Sequence, residues 1–553
     1  MNTGAGCARR IALAAALLLS TALAACSGAE SNVVNGNRAG VLHMGNGADP
    51  QTLDPHVMSG NPEVTIARSL FEGLVTRNPY TLAVEPGVAQ SWAISEDRRV
   101  ITFELNPSAR WSNGDPVTAQ DFVWSFQRAL NPRLGNQLAY TLFPINNAQA
   151  YFTGQITDPG KVGVRALGDQ RFELTLTHPT PYFLEILASY VAYPVHRPTV
   201  EAHGDAMARF TPWTRPGNLV GNGPFKLEEW QLQRRVTVVK SDTYWDAQDV
   251  QLNAVIFHPI ENAITEEHMY RVGQLHFTQQ VPLNKIPGYA GQASSPYQQA
   301  PMLGTYYFLL NTLAAPVNDV RVRRALALAI DRDKLVATVL GGTESPAHGL
   351  TPPQVPDYQA PQLLAYDPQE ARRLLAAAGY PGGKDWPGLE FAYNTSDNNR
   401  KIAVAVQQMW KDVLNIKVTL VNQEWKVFLD TVNEMDFQVA RMGWIASYLD
   451  PNPFLDKFIT GGGTNRTGFS NARYDDIILQ LAPGAKTREQ RLRLMLEAET
   501  ILLNQVPIIP IYTYNSKHLV HPSVIGAPTN VLDIRNFKYI GLDDTINTRP
   551  GED

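Results

Sequence analysis

Alternating apolar and polar positions predict short β-strands in separate parts of the chain. Apolar residues occupy every second position from Ile101 to Leu105, and again from Phe172 to Leu176. Successive side chains of a strand point to opposite faces, so a period of two indicates a strand with one buried face.

Helical patterns with start and stop signals occur between such strands. Thr118 and Asp121 have the spacing of a capping box, which predicts a helix from Asp121 to Leu130. A second helix is predicted over residues 367–379, with a proline at its first position and a glycine at its end. Residues 320–340 predict one long, partly buried helix. This mixture, without regular βαβ alternation, favours the α/β class.

The first apolar run predicts a secretory signal. Arg9 and Arg10 precede an apolar stretch from Ile11 to Ala25, which is too short to span a bilayer comfortably. The run ends in Leu-Ala-Ala-Cys26, which resembles the bacterial lipobox, where the cysteine becomes the first mature residue and carries a diacylglyceryl group. We expect a signal peptide over residues 1–25 and lipidation of Cys26. The alternative is an ordinary signal-peptidase site.

The segment that follows, residues 26–40, is small and polar and predicts a flexible lipid tether. Cys7 and Cys26 are the only cysteines, and Cys7 would leave with the signal. The mature chain would then have no thiol for a disulfide, a zinc–thiolate site or a nucleophile.

Charge and length narrow the classes of function. The formal charge of −5 becomes −7 once Arg9 and Arg10 are removed, and no run of Lys or Arg exceeds two residues. This argues against a nucleic-acid-binding protein. The length of 553 residues, less the signal, implies two or three domains.

Signatures of catalysis or metal binding are not found in the sequence. It contains neither a G-x-S-x-G elbow nor an H-E-x-x-H motif. His258, Glu266, Glu267, His268 and His276 are close in sequence, but their spacing matches no standard metal-binding pair. We therefore expect no enzyme activity, no cofactor and no metal.

Two segments are compatible with ligand binding. Residues 461–466, Gly-Gly-Gly-Thr-Asn-Arg, would suit an anion cradle, although a surface loop is the commoner meaning. Residues 441–450 combine an arginine, a tryptophan, a tyrosine, a serine and an aspartate, which is unusual for a segment that is only core. Tryptophan and tyrosine offer rigid contact area with a polar group, as pockets for variable ligands require.

Residues 92–126 carry a recognisable signature, WAISEDRRVITFELNPSARWSNGDPVTAQDFVWSF. It is similar to that of the bacterial extracellular solute-binding proteins of family 5, the peptide/nickel class. The resemblance covers nearly all of residues 41–540 and is greatest to the oligopeptide binders. Further matching segments are residues 51–55, 71–74, 221–225, 244–245, 318–333, 393–397 and 422–430.

The resemblance implies an α/β fold of the two-lobed periplasmic-binding-protein clamshell (type II, peptide class) with an additional inserted domain. Lobe I would comprise residues 41–65, 212–303 and 516–553. The inserted domain II would be residues 66–211, and lobe III residues 304–515. A hinge would close the lobes over the ligand.

The implied function is capture of oligopeptides for an ABC importer on the periplasmic side of the envelope. Family members bind the peptide backbone through main-chain hydrogen bonds and do no chemistry. The implied partners are the peptide, the permease subunits and, through the lipid, the membrane; the protein would be a monomer. Alternatives are a murein peptide, a blocked peptide, an opine-like compound or a metal chelate in the same fold, a lipid-anchored hydrolase, or a receptor without a transporter.

Ligand-binding positions follow from the same resemblance, and two departures stand out. Ser447 replaces an aspartate that pairs with the peptide α-ammonium, and Asp450 is a candidate to take over that role, or else part of an Asp-Pro turn. Asn399 and Val432 stand where relatives have basic residues for the ligand carboxylate. The other implied ligand-binding residues are Tyr307, Trp425, Arg441, Trp444, Tyr512 and Tyr514.

Overall fold

The computed structural model describes residues 31–292 and 294–546. The predicted signal peptide and Cys26 lie outside the described residues. None of the helices in the described ranges is long and apolar enough to cross a membrane.

The first sheet, sheet I, has four strands and is built from residues near both ends of the first half of the chain. Val41–Gly45 pairs in parallel with Ala254–His258, and the remaining pairs are antiparallel. In spatial order its strands are Val41–Gly45, Ala254–His258, Arg235–Lys240 and Phe225–Gln231. The helices of this region are Asn32–Ala39, Asn61–Leu70, Ala263–Arg271 and Ile286–Ala290.

The second sheet, sheet II, is antiparallel and contains both strands predicted from alternation. Val100–Leu105 and Arg171–Thr175 are neighbours, with Phe103 opposite Phe172. Its spatial order is Ala89–Ile94, Val100–Leu105, Arg171–Thr175 and Val164–Ala166. A two-stranded ribbon, Val75–Arg77 and Val84–Pro86, lies in the same region. The helices are Ala119–Ala129, Ala148–Phe152, Phe183–Leu187 and Arg197–Ala202.

The third sheet, sheet III, has six strands and mixes parallel and antiparallel pairs. In spatial order they are Ser345–Pro346, Ile508–Leu519, Tyr297–Leu310, Val439–Ile445, Leu389–Asn394 and Val418–Gln423. A small ribbon near the C-terminus pairs Val524–Ile525 with Gly541–Leu542. The helices around sheet III are Val320–Leu328, Arg332–Val339, Pro368–Ala377, Asp397–Leu414, Trp425–Asn433, Asn452–Leu455, Ala472–Asp476 and Arg488–Gln505.

Helix starts with a local chemical signal are predicted well. The helix Ala119–Ala129 has its capping box, in which the Asp121 carboxylate accepts from the Thr118 amide at 2.8 Å. The helix Pro368–Ala377 has Pro368 at its first position, as predicted.

The single long helix predicted over residues 320–340 is wrong. The structure has two helices, Val320–Leu328 and Arg332–Val339. Asp331 caps the second helix by accepting from the Lys334 amide at 2.9 Å, so a new helix begins there. The Arg332 side chain donates to the Ile330 carbonyl at 3.2 Å, which satisfies a group at the break.

The flexible tether predicted over residues 26–40 is also wrong for its described part. Asn32–Ala39 is a helix, capped by the Ser31 hydroxyl, which accepts from the Val34 amide at 3.2 Å. The Val33 side chain is buried, and its amide donates to the Gly273 carbonyl at 3.0 Å. Two adjacent valines thus dock a segment that is otherwise small and polar.

Buried apolar side chains form three large clusters, one against each sheet. A buried ion pair joins the clusters of sheets I and II. Both guanidinium nitrogens of Arg128 contact the Asp54 carboxylate, at 3.0 and 2.7 Å. Burial by itself would raise the pKa of Asp54, but the charge and hydrogen bonds of Arg128, together with His56, lower it overall.

We expect Asp54→Asn to lower the free energy of unfolding by about 3–5 kcal/mol, because it leaves the buried Arg128 charge uncompensated. Urea denaturation followed by circular dichroism measures this change. The matched control is Asp205→Asn, which breaks the exposed Arg133–Asp205 pair and should lower the free energy of unfolding far less. Equal losses in the two variants would contradict the expectation.

Candidate functional site

A cavity of about 580 Å³ lies in the cleft where the three regions meet, and we call it the cleft cavity. Its floor is sheet III, from the strands Tyr297–Leu310, Val439–Ile445 and Ile508–Leu519. Its other walls come from the helix Asn61–Leu70 and from residues 137–141 and 186–193 of the sheet II region. Polar groups from distant parts of the sequence therefore face one enclosed space.

The cleft cavity brings together all but one of the eight predicted ligand-binding residues. Asp450 is the exception, because it is not among the lining residues. The lining positions are Tyr307, Trp425, Arg441, Trp444, Ser447, Tyr512 and Tyr514.

Arg441 is positioned by aromatic and amide neighbours. Its guanidinium lies over the Tyr306 ring, 4.7 Å from the centroid, and donates to the Tyr514 hydroxyl at 3.0 Å. It also donates to the Asn394 side-chain oxygen at 3.3 Å, while its buried Nε has no hydrogen-bond partner among the described residues. Tyr306 stacks on Tyr512 at 4.7 Å. The arginine is held rigidly but keeps an unused donor.

Both predicted tryptophans present indole N–H groups without partners. Nε1 of Trp425 and Nε1 of Trp444 are buried and donate to no acceptor in the described chain. Trp425 is the first residue of the helix Trp425–Asn433 and stacks on Phe428 at 6.3 Å. The Lys457 ammonium lies 3.3 Å from the centroid of the Trp444 ring. A buried donor without an acceptor is costly, so a ligand with acceptor groups fits these walls.

Ser447 faces a positive neighbour. Arg77, which is only 5% exposed, donates from Nη2 to the Ser447 carbonyl at 3.1 Å. The same guanidinium contacts the Glu185 carboxylate at 3.5 Å. This contact joins the sheet II region to the segment that follows the strand Val439–Ile445.

Asp450 is engaged inside the protein. It is 4% exposed, and the Arg491 guanidinium donates to both of its oxygens, at 2.6 and 2.8 Å. One of these oxygens also accepts from the Asn452 amide at 2.8 Å. Arg491 lies 4.6 Å over the Tyr182 ring, which stacks on Tyr448. These contacts favour a structural role in which Asp450 positions the turn after Ser447.

The strand Val439–Ile445 has an unpaired edge in the cleft cavity. One edge pairs with Tyr297–Leu310 along its whole length. On the other edge, Leu389–Asn394 pairs only with Val439 and Ala440. In the residues that the structure covers, no strand lies beside the edge from residue 441 onward, and residues 441–447 all line the cavity.

The two positions that lack basic residues differ in their surroundings. Asn399 lines the cleft cavity and donates to the Asn394 side chain at 3.0 Å. Val432 is fully buried in the core of sheet III and does not line the cavity.

Several lining residues escaped the sequence reasoning. Arg466 had one signal, the glycine-rich segment 461–466, while Arg77, Lys457 and Glu72 had none. The Glu72 carboxylate accepts from the Tyr244 hydroxyl at 2.5 Å and from Trp245 Nε1 at 2.7 Å. Burial raises the pKa of Glu72 to about 7, although these two donors oppose the shift.

The histidines and glutamates that are close in sequence do not form a metal site. The described residues contain no group of three or more His, Cys, Asp or Glu side chains placed to hold a metal ion. Glu266 instead accepts from the Gln279 and Gln280 amides, and burial raises its pKa to about 8. His258 and His276 both lie next to His43 in a stack of rings.

Comparison with known proteins places the whole chain in one class. The periplasmic murein peptide-binding protein MppA of Escherichia coli is 38% identical over 495 residues, covering 87% of this chain and 89% of MppA. A crystal structure of Haemophilus influenzae OppA in complex with the peptide RPPGFSPFR is 32% identical, with a TM-score of 0.86 over 91% of this chain and 98% of that chain.

Two structures of MppA, the first of them from Escherichia coli and each 36% identical, differ in how well they match. One has a TM-score of 0.86, covering 91% of this chain and 98% of that chain. The unliganded open form has a TM-score of 0.63, with coverages of 91% and 97%. The described conformation is thus less similar to the open form.

The family model for bacterial extracellular solute-binding proteins, family 5 (Middle), matches residues 83–466. The fold is the two-lobed clamshell of the periplasmic peptide-binding proteins, as predicted. The chain therefore belongs to the bacterial extracellular solute-binding proteins of family 5.

Proposed function

We propose that this protein captures peptides in the cleft cavity and delivers them to the permease of an ABC importer. The lobes would be residues 41–65, 212–303 and 516–553 against residues 304–515, with residues 66–211 as the inserted domain. A lipid on Cys26, added after removal of the signal peptide, would hold the protein at the membrane on the periplasmic side. It would act as a monomer and would bind its ligand without chemical change.

The observation that carries this proposal is the unpaired strand edge inside the cleft cavity. An extended peptide can add to such an edge as a further strand, because its amide and carbonyl groups match those of the edge. Main-chain bonding of this kind is independent of the ligand's side chains. The unpartnered donors of Trp425, Trp444 and Arg441 would then meet ligand carbonyls, carboxylates or bridging water.

Murein peptides are a second candidate ligand class within the same function. The relative MppA is named for a murein peptide, and it is 38% identical over 87% of this chain. Only the similarity to MppA supports a murein peptide as the ligand, whereas the strand edge supports binding of any extended peptide.

Native mass spectrometry of the protein purified without denaturation tests the proposal. We expect a series of bound masses that correspond to peptides and that disappear on unfolding and refolding. A single recurring mass of a murein peptide would favour the second candidate. A single non-peptide mass would exclude the proposal.

We expect Gly443→Ala to weaken peptide binding about tenfold, because the site loses the hydrogen bond that Arg441 donates to the Tyr514 hydroxyl. A Cβ at this position would overlap the Tyr514 hydroxyl, which must then move away from Arg441. Isothermal titration with a co-purified peptide measures the loss. Gly288→Ala is the matched control, since a Cβ there meets nothing within 4 Å. Equal affinities of both variants and wild type would show that this contact does not support the site.

We expect Asp450→Asn to lower the unfolding free energy by about 3–5 kcal/mol, because it leaves the buried Arg491 charge unpaired. If Asp450 is structural, the ratio of affinities for a free peptide and its N-acetylated form should be the same in the variant and in wild type. Ser447→Ala is the comparison variant. A ratio that falls tenfold or more only in Asp450→Asn would identify Asp450 as the amine anchor after all.

A further inference from the structure

We propose that Trp444, Lys457 and Arg466 form an anion subsite in the cleft cavity, which selects peptides that place a carboxylate there. This inference rests on the proposed peptide-binding function and specifies its ligand class. The subsite lies beside Ser447 and Arg77, at the contact between the sheet II region and the turn after the strand Val439–Ile445.

Arg466 and Lys457 are cations that the protein itself does not neutralise by direct ion pairing. Neither forms an ion pair within the described residues, which are 31–292 and 294–546. Both line the cavity. Arg466 donates to the neutral Gln137 side chain at 3.0 Å, and its Nε is buried without a partner. Lys457 is 6% exposed and has its ammonium against the Trp444 ring.

Other cations of the same cavity are compensated. Lys517 contacts the Glu344 carboxylate, and Arg535 contacts the Asp533 carboxylate at 2.7 Å. Arg77 has Glu185 at 3.5 Å. The cavity therefore has no general shortage of carboxylates, yet Lys457 and Arg466 form no ion pair with a carboxylate within the described residues.

Asp456 is the acidic group nearest to this pair, and it does not cancel the charge. One of its oxygens accepts from the Asn452 side chain at 2.8 Å. Burial raises the pKa of Asp456 well above its ordinary value, and burial together with Arg466 lowers that of Lys457. If both Asp456 and Lys457 are charged, or both neutral, Arg466 still leaves one net positive charge in the subsite.

A carboxylate has the chemistry that this subsite lacks. Its two oxygens offer about four acceptor sites, enough for Arg466 Nε, Trp444 Nε1 and the Lys457 ammonium together. Bonds of this kind between charged partners are short and strong. An ammonium in the same place would instead face two cations. The subsite thus favours an acidic side chain or an acidic N-terminal blocking group over a free amine.

The test uses a set of peptides that differ by one charge. The reference is acetyl-Ala-Ala-Ala-Ala-amide, which is uncharged, and each other peptide carries one carboxylate. That carboxylate is an N-terminal succinyl group, a Glu at one of the four positions, or a free C-terminus. Isothermal titration against the full mature protein, cleared of co-purified ligand, gives each affinity.

We expect at least one single-carboxylate peptide to bind tenfold or more tightly than the reference. Arg466→Gln and Lys457→Met should each remove most of that preference, since a bond between charged groups is worth about tenfold or more in affinity. Circular dichroism spectra and urea denaturation of both variants verify that they fold. Arg165→Gln is the charge-matched control, on an exposed side chain paired with Glu173.

The outcomes separate the two proposals. If the uncharged peptide binds but no carboxylate improves binding, or if the preference persists in either subsite variant, the anion subsite is overturned and peptide binding stands. If no peptide of the set binds and none co-purifies, peptide binding fails and the subsite fails with it.

Discussion

Burial of positive charge without a carboxylate partner is the constraint on which the closed cleft depends. Arg441 and Arg466 each keep a buried guanidinium N–H group unbonded within the described chain, and the Lys457 ammonium has only an aromatic face. Removing such groups from water is costly unless an anion or strong acceptor replaces the water. If the lobes move as proposed, closure would be favourable only when something fills the cavity. Ligand binding and lobe movement would then be one equilibrium, since the ligand would stabilise the closed state selectively.

Rigid contacts hold these charges in place. The Arg491–Asp450 pair fixes the turn after Ser447, and the stack of Tyr182 on Tyr448 ties that turn to the sheet II region. Arg77 adds a hydrogen bond across the same contact. Because the charges of Arg491, Asp450 and Arg77 are paired inside the protein, they can set the shape of the site without competing for the ligand. This difference in role explains why Asp450 is buried in an ion pair, whereas the neighbouring cations Lys457 and Arg466 are buried without one.

Local signals and family likeness account for what could be predicted from the sequence. The strands around Phe103 and Phe172 and the capping box at Thr118 depend on neighbours within a few residues, so their patterns are readable. The break before Arg332 also depends on remote contacts, since the Arg332 side chain donates to the Leu364 and Pro510 carbonyls. The helix after Ser31 likewise docks through the bond from the Val33 amide to the Gly273 carbonyl. A short polar segment with two valines has no pattern from which its docking near Gly273 could be predicted.

For the same reason, the residues that line the cavity could be predicted from the sequence only in part. Arg441 and Trp444 lie in one recognisable segment, but their neighbours come from remote positions. Arg77 reaches Ser447 across 370 residues, and Arg466 meets Gln137 across 329. Charge balance at a site is a property of the folded arrangement, so no spacing rule reveals which cations remain unpaired.

The strand edge and the uncompensated cations have different roles in ligand recognition. An edge of main-chain groups binds every extended peptide in much the same way and cannot discriminate among them. Specificity is a difference of affinities, and it arises where a wrong ligand leaves buried groups unsatisfied. In this cleft those groups are donors and cations around Trp444, so a peptide without an acceptor there incurs their desolvation cost on closure. A ligand that is held along the edge but leaves Arg466 unmatched would bind the open lobes and fail to close them.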